Sequence, residues 1–445
     1  MKTVAIIAEF NPFHNGHRHL LTEARKITAA DYTIIVMSGN FVQRGAPAMT
    51  HKYNRTRMAL LNSADLVLEL PTCYATASAE FFAHGAIALL DRLGVTDHLF
   101  FGSESGDIAA LTAAAAALTH ESPRYQTELK RQLKKGLSFP AARVNALDPL
   151  DHLQLTELLN TPNNILAIEY LKALTNHHST ITPFTILRQG SGYADSQLSH
   201  PHYNSASAIR RHLETGGSLS ALTDCLPENV LPLLLPESPS ALATDRDTII
   251  NENDLSLLLH YKLLSLADSD LTRFLDVTPA LSDKIKKNRF SFTTYRDFIN
   301  RLKSRDLTYS RISRCLLHIL LDIPSNHCPH NPAAHSGSYT ADHTNGPTDH
   351  YPADQSTRPA ADRTPVYYAR LLGFRASAAP LLTAIKHHAT IPLISKPATA
   401  LDALTTPGQT MFKQDLHAAH IYDLVYAAKY HQTPIPEYTR SPIRI

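Results

Sequence analysis

Cysteine is scarce in this chain, and its members stand apart. Cys73, Cys225, Cys315 and Cys328 are far from one another, with no CxxC pair. That excludes a disulfide framework and a zinc ribbon, and it fits a reducing cytoplasm. Long apolar runs are missing too, since none approaches the ~20 residues a membrane span requires. A leader pattern is also absent. An apolar strand begins two residues after Met1, so no signal peptide is expected. No internal repeat is visible. Neither sign of charge dominates: 42 Lys and Arg stand against 40 Asp and Glu, a net of +2. The total names no partner; the distribution does. At 445 residues the chain has room for two or three domains.

The most informative stretch follows the first strand. Val4 to Ile7 is short, apolar and β-branched, and Asn11-Pro12 breaks it. His14-Asn15-Gly16-His17 then opens an amphipathic helix with Leu20, Leu21 and Ala24 at helical spacing. A strand, a tight loop and a helix start make an anion site, because free N–H groups and the helix dipole favour negative charge there. Gly16 is expected to let the backbone approach a phosphate. The two imidazoles can donate to the oxygens of an α-phosphate under attack. The pattern resembles the HxGH signature of the nucleotidylyltransferases, which attack the α-phosphate of ATP and release pyrophosphate.

Strands and helices alternate over residues 1 to about 190. Further strands are expected at 32–37, 66–70, 98–101 and 184–187, with helices over 75–92 and after Pro162. The fold class is therefore α/β with a parallel, Rossmann-like sheet. Ligands sit beyond the carboxyl ends of such strands, so the loops at 8–17, 38–45, 102–105 and 188–192 should converge. From about 205 to 323 the pattern is almost entirely helical. Residues 325–364 are polar with almost no aliphatics and read as a disordered low-complexity insertion. His327-Cys328-Pro329-His330 within it lacks a second ligand pair, so no metal site is expected. Order resumes near Tyr367, with a strand at 391–394 and a helix over about 411–429. The expected division is 1–215 catalytic, 216–324 helical and basic, 325–364 insertion and 365–445 a C-terminal α/β segment.

Asn204-Ser205-Ala206-Ser207-Ala208-Ile209-Arg210 supplies a second anion site: hydroxyls, free N–H groups and a guanidinium at a helix start. Met37 to Gly45 places glycines and Arg44 after a strand, where ligand contact and a plain turn are equally open. Lys52, Arg55 and Arg57 open a helix, as phosphate or RNA contacts or as its wet face. Gly102 ends a strand and suits close approach of adenine or ribose. Asn163, Asn164 and Arg188 are weaker candidates. Between Lys284 and Arg314, ten cationic side chains oppose two carboxylates in 31 residues, with Phe290, Phe292, Tyr295 and Tyr309 interleaved. That pattern suits a nucleic-acid backbone. Its contact candidates are Lys284, Lys286, Lys287, Arg289, Lys303, Arg305, Arg311 and Arg314. Lys130, Arg131, Lys134 and Lys135 form a smaller basic patch.

In chain order come AEFNPFHNGH, SGNFVQRG, KYNRTRMAL, LVLELP, FGSES, PNNIL, SASAIR and TYSRISRCLLHILL. Together they resemble the bacterial tRNA(Met) cytidine acetate ligase family, over 1 to about 323 and again near 366–430. The resemblance implies an HxGH nucleotidylyltransferase-like domain followed by a helical tRNA-binding region. It implies that acetate attacks ATP to give acetyladenylate and pyrophosphate. The wobble cytidine of elongator tRNA(Met) then takes the acetyl group, giving N4-acetylcytidine and AMP, without acetyl-CoA. By the same resemblance ATP is held by Ile7, Ala8, Glu9, Phe10, Asn11, Pro12, Phe13, His14, Asn15, Gly16, His17, Arg18, His19 and Leu20. Gly102, one of Asn163 and Asn164, and Arg188 join them. His14 and His17 are the catalytic pair, and Ser205, Ser207 and Arg210 hold the pyrophosphate portion. Mg²⁺ is expected with the phosphates on chemical grounds, without a protein cage. Neither a membrane nor an obligate protein partner is expected. An adenylyltransferase acting on a small molecule leaves the basic region without a use. An RNA-binding protein with a degenerate site conflicts with the intact His14, Gly16, His17 and Arg210.

Overall fold

The computed structural model describes residues 1–119, 123–135, 142, 145–146, 158–189, 198, 200, 202–234, 249–266, 270–304, 307–325 and 366–445. The polar segment with His327-Cys328-Pro329-His330 lies outside them, as does Arg305.

The strands are β1 (Thr3–Ala8), β2 (Tyr32–Ser38), β3 (Phe41–Val42), β4 (Ala46–Pro47), β5 (Leu66–Leu70), β6 (His98–Ser103), β7 (Thr182–Leu187), β8 (Ala369–Phe374), β9 (Leu393–Ile394) and β10 (Ile443–Arg444). The main sheet runs β10-β8-β5-β2-β1-β6-β7, with β9 also on β8. From β5 to β7 every pairing is parallel. The chain leaves central β1 toward β2 and β5, then crosses back to β6 and β7. The strand order therefore reverses between β1 and β6, which is where ligands sit in open α/β sheets.

One feature departs from a purely parallel sheet: β8 pairs antiparallel with β5. It brings the C-terminal segment into the main sheet. The expected helix over 75–92 is two, Thr72–Ala75 and Ala79–Leu93. The loop after β2 is a small antiparallel hairpin of β3 and β4.

Alternation explains why the sheet is covered on both faces. Ala5, Ile34, Val36, Leu66, Leu68, Leu99 and Phe101 enter one core, with helices Ala79–Leu93 and Pro162–Asn176. Val4, Ile6, Ile35, Met37, Val67 and Phe100 enter the other, with helices Asn15–Thr28 and Lys52–Leu61. Successive side chains of a strand point to opposite faces, so strands apolar on both faces need helices on both. The helical region Glu252–Ile323 shares the first core through Leu259, Tyr295, Phe298, Ile312 and Leu316. Its helices begin at Thr278, Thr294 and Thr308, whose hydroxyls accept from the backbone N–H of Leu281, Asp297 and Arg311. Among the described residues, Cys73, Cys225 and Cys315 are buried and form no disulfide. No described helix is long and apolar enough to cross a membrane.

Candidate active site

A cleft of about 470 Å³ opens where the strand order reverses. The end of β1 supplies Ile7 to Asn11, and the start of helix Asn15–Thr28 supplies His17 and Leu20, with His14 as its cap. Gly102 comes from β6, Arg188 from beyond β7, and Asn163 from the start of helix Pro162–Asn176. Ser205, Ser207 and Arg210 come from the first turns of helix Ala206–Glu214. Five separate stretches of sequence thus meet, because each follows or ends a strand or opens a helix at this edge of the sheet.

The two histidines are locked by their own helix start. Gly16 N–H donates to Nδ1 of His14 at 3.1 Å, and His14 N–H donates to Nδ1 of His17 at 3.2 Å. The rings stack with centroids 3.8 Å apart. Burial, with Arg188 and Arg210 nearby, pushes the His14 imidazole down to about 3. Burial, then His14 and Arg188, holds His17 well below its usual value. Both rings are therefore neutral. Because each Nδ1 accepts a hydrogen bond, the one ring proton of each sits on Nε2. The pair presents two neutral donors without two adjacent positive charges. A cationic pair this close would repel; the neutral pair can stack.

Gly16 has a packing role beside the expected one. A Cβ there would lie 2.9 Å from Cε1 of His14, so glycine makes room for the His14 ring itself. Phe13 is buried against Phe10 and His17 and supports the pair from behind. Pro12, Phe13, Asn15 and Arg18 do not line the main cleft. Asn15 Nδ2 donates to the Asp224 carbonyl at 2.8 Å, and Arg18 is exposed. Gly16 and His19 line a smaller adjoining recess of about 50 Å³, with Arg188 and Tyr203.

At the second anion site Ser205 caps its helix, accepting from Ala208 N–H at 3.1 Å. Arg210 donates to the Asn11 carbonyl at 2.5 Å and to Ser207 Oγ at 3.3 Å. The guanidinium is thereby anchored to the loop that carries the histidines.

The pair Asn163 and Asn164 divides. Glu104 accepts from Asn163 Nδ2 at 2.6 Å and from Asn164 N–H at 2.8 Å. Asn164 Oδ1 in turn accepts from Ser105 N–H at 3.1 Å, while Asn163 lines the cleft. Glu104 therefore occupies the positive end of this helix, and a phosphate is not needed there.

Residues 1–340 and 352–435 match the model of the family described as HIGH Nucleotidyl Transferase. A tRNA(Met) cytidine acetate ligase of Thermoanaerobacter sp. (strain X514) is 37% identical over 427 residues, 96% of each chain. That of Clostridium kluyveri is 37% identical over 441 residues, 96% of this chain and 95% of its own. The chain belongs to the tRNA(Met) cytidine acetate ligase family. Thermotoga maritima TmcAL without ligand superposes with a TM-score of 0.83 at 27% identity, over 100% of both chains. The same protein bound to alpha-thio ATP gives 0.81 at 27% identity, over 100% of this chain and 99% of that one.

Several readings of the sequence change against the structure of this ligase-family chain. Lys52 and Arg55 meet neither phosphate nor water. Lys52 is buried between Glu69 and Glu437, at 2.9 and 2.8 Å. Arg55 is fully buried and donates to the carbonyls of Glu9, Ser38, Gly39 and Thr50. It ties the ends of β1 and β2 together under the cleft. In the basic stretch, Lys284 Nζ donates to the Leu302 carbonyl at 2.5 Å and so holds a helix end. Arg296 pairs with Glu214 and Glu252, and Arg314 faces Asp276 at 3.9 Å. Lys287 and Lys303 are exposed, and Lys286, Arg289 and Arg311 are half-buried. Phe292 and Tyr295 are core residues; Phe290 is not. In the smaller basic patch Arg131 pairs with Glu128.

Gln43, in the 38–45 loop expected to converge here, lines the cleft, and so do Glu252, Tyr309 and Ser310, which were not among the expected ATP contacts. Gln43 N–H donates to Glu9 Oε1 at 2.9 Å. For Tyr309 and Ser310 the hint is the TYSR stretch at 308–311, which places an aromatic and a hydroxyl at a helix start.

Proposed function

We propose that this chain is an ATP-dependent ligase that joins acetate to the wobble cytidine of elongator tRNA(Met). The observation that carries the reading is the stacked, neutral His14–His17 pair at the strand-order reversal, flanked by Arg188 and Arg210. Family membership supports the reading, and so does the likeness to a protein solved with an ATP analogue.

In the first step an acetate oxygen attacks the α-phosphorus of ATP. The bond from that phosphorus to the bridging oxygen breaks, and pyrophosphate leaves. Charge builds on the non-bridging α-oxygens, and in this reading the Nε2 protons of His14 and His17 donate to it. Arg210 with Ser205 and Ser207 holds the leaving phosphates, and Arg188 adds positive charge at the α-position. Gly102 and Asn163 border the nucleoside end. In the second step the cytidine amine attacks the acetyl carbonyl. The carbonyl-to-phosphate oxygen bond breaks, AMP leaves, and the amine loses a proton.

Magnesium fits as a companion of the phosphates. Among the described residues no three His, Cys, Asp or Glu side chains converge as a metal cage. Such ions are commonly held by substrate phosphates and one or two carboxylates. Here Glu214 and Glu252 on the cleft wall are both paired with Arg296.

The reading makes 1–215 the activating unit and the helical region 216–324 the RNA-binding unit. Contacts to RNA come from Lys286, Lys287, Arg289, Lys303 and Arg311. Acetyl-CoA has no role, and the reaction belongs with tRNA and ATP in the cytoplasm. Exchange of labelled pyrophosphate into ATP tests the first step. Exchange that requires acetate supports the reading, and acetate-independent exchange contradicts it.

A further inference from the structure

Helix Ser256–Ser265 exposes Leu257, Tyr261 and Leu264, at 81%, 71% and 41%. At helical spacing these three share one narrow stripe. His260 lies on the edge of the same stripe, and its ring stacks on Phe292 with centroids 4.8 Å apart. That contact fixes the turn Arg289–Ser291 beside the stripe. In this turn Phe290 is 77% exposed, and the Arg289 guanidinium lies over its ring at 4.8 Å. Lys286 and Lys287 end the helix just before it. A folded chain seldom groups large apolar side chains on its surface without a use for them.

We propose that this stripe, through Tyr261 and Phe290, stacks unpaired nucleobases of RNA while Lys286, Lys287 and Arg289 meet the neighbouring phosphates. The proposal rests on the tRNA reading above and adds base stacking beside three of its cations. Two observations favour RNA over a protein partner. Exposed rings beside cationic side chains match how single strands are held, by stacking and backbone attraction together. Protein interface cores are depleted in lysine. Asp283 on the same helix and Asp270, which lies near Lys286, are the opposing charges beside the three cations. Position fits too. Glu252 lines the active-site cleft, and its short helix runs directly into Ser256–Ser265. Tyr261 therefore lies roughly 15 Å along the chain axis from the cleft rim. A base in the cleft and its unpaired neighbours on the stripe would belong to one loop.

The chain contains no tryptophan, so Phe290→Trp and Tyr261→Trp each install a single tryptophan that can be excited apart from the tyrosines. Emission is expected to quench with tRNA(Met) and with single-stranded oligoadenosine, but not with an RNA duplex of the same length. The double variant Tyr261→Ala and Phe290→Ala should weaken tRNA binding about tenfold or more. Its acetate-dependent pyrophosphate exchange should match the parent. If the double variant binds tRNA as the parent does, stacking on this stripe is overturned while the tRNA reading stands. A tryptophan signal that changes with protein concentration alone would show a second copy on this face and also overturn it. If the parent chain binds no tRNA(Met), the underlying reading falls, and this proposal with it.

Discussion

The Ser313 hydroxyl donates to the Gly45 carbonyl at 2.8 Å, joining residues 268 apart in sequence. Gly45 sits in the hairpin of β3 and β4, which places Gln43 and Arg44 on the cleft wall. Ser313 sits in helix Tyr309–Leu320, whose first residues line the same cleft. The contact couples the basic helical region to the wall of the activating site. Gly45 has φ +77°, and a Cβ there would lie 2.3 Å from the backbone nitrogen of Arg314. Gly45→Ala should cost at least ~2 kcal/mol from strain and backbone collision. Ser313→Ala should cost about 1 kcal/mol, the worth of one hydrogen bond. Thermal unfolding of both variants checks the ranking.

The neutrality of the histidine pair predicts a pH dependence with a definite sign. An unfolded imidazole titrates near 6.5, while folded His14 titrates at about 3. Between these values the unfolded chain binds a proton that the folded chain does not. Stability is therefore complete above about 6.5 and declines as pH falls toward 3. His84 and His177, both lowered to about 4 by burial, act in the same direction. The melting temperature of nucleotide-free protein should drop over this window, and His14→Asn should flatten the slope.

His14→Ala should also lower acetyladenylate formation by about 10²–10³, the usual effect of losing one preorganised donor. Its tRNA affinity should stay near that of the parent. Unchanged adenylate formation would remove His14 from the α-phosphate step.

The C-terminal segment is fastened by a buried ion cluster. Lys52 lies 2.8 Å from Glu437, and Arg370 approaches the same carboxylate at 3.4 Å. Burial works to raise the Glu437 carboxyl, but Lys52 and Arg370 overcome it and hold it at about 2. Its contribution to stability is present above about 4.5 and is lost as pH falls toward 2. Lys52→Met should destabilise by about 3–5 kcal/mol, because it leaves Glu69 buried without this cation and Glu437 with Arg370 alone. Denaturant unfolding measures the loss.

Glu104 should act on nucleotide binding through Asn163. Glu104→Ala frees the Asn163 side chain and removes the cap of helix Pro162–Asn176. The KM for ATP should rise several-fold, with a smaller change in kcat. Glu104→Gln keeps one acceptor oxygen and should recover part of the loss. Equal, unchanged KM values would show that Glu104 serves folding only.

Local pattern made much of this legible. The strand–loop–helix at Val4–Leu20 shows in sequence because a β-branched run, a proline break and helical spacing occupy adjacent residues. The same holds for Ser205 as a helix cap. What stayed hidden depends on contacts between distant segments. Lys52 and Arg55 read as phosphate or RNA contacts or as a wet helix face because Glu437 and most of the carbonyls that bind them lie elsewhere in the chain. The antiparallel β8 was hidden because direction within a sheet is set by the connection preceding it, here the long helical region. Phe290 and Phe292 share a motif, and only packing sends one inward and the other out.

The most direct test is transfer of labelled acetate to purified elongator tRNA(Met) with ATP and without acetyl-CoA. Label should enter the tRNA, depend on ATP, and disappear with His14→Ala. Acetate-independent pyrophosphate release, with no label in the tRNA, would contradict the account and point to a small-molecule acceptor.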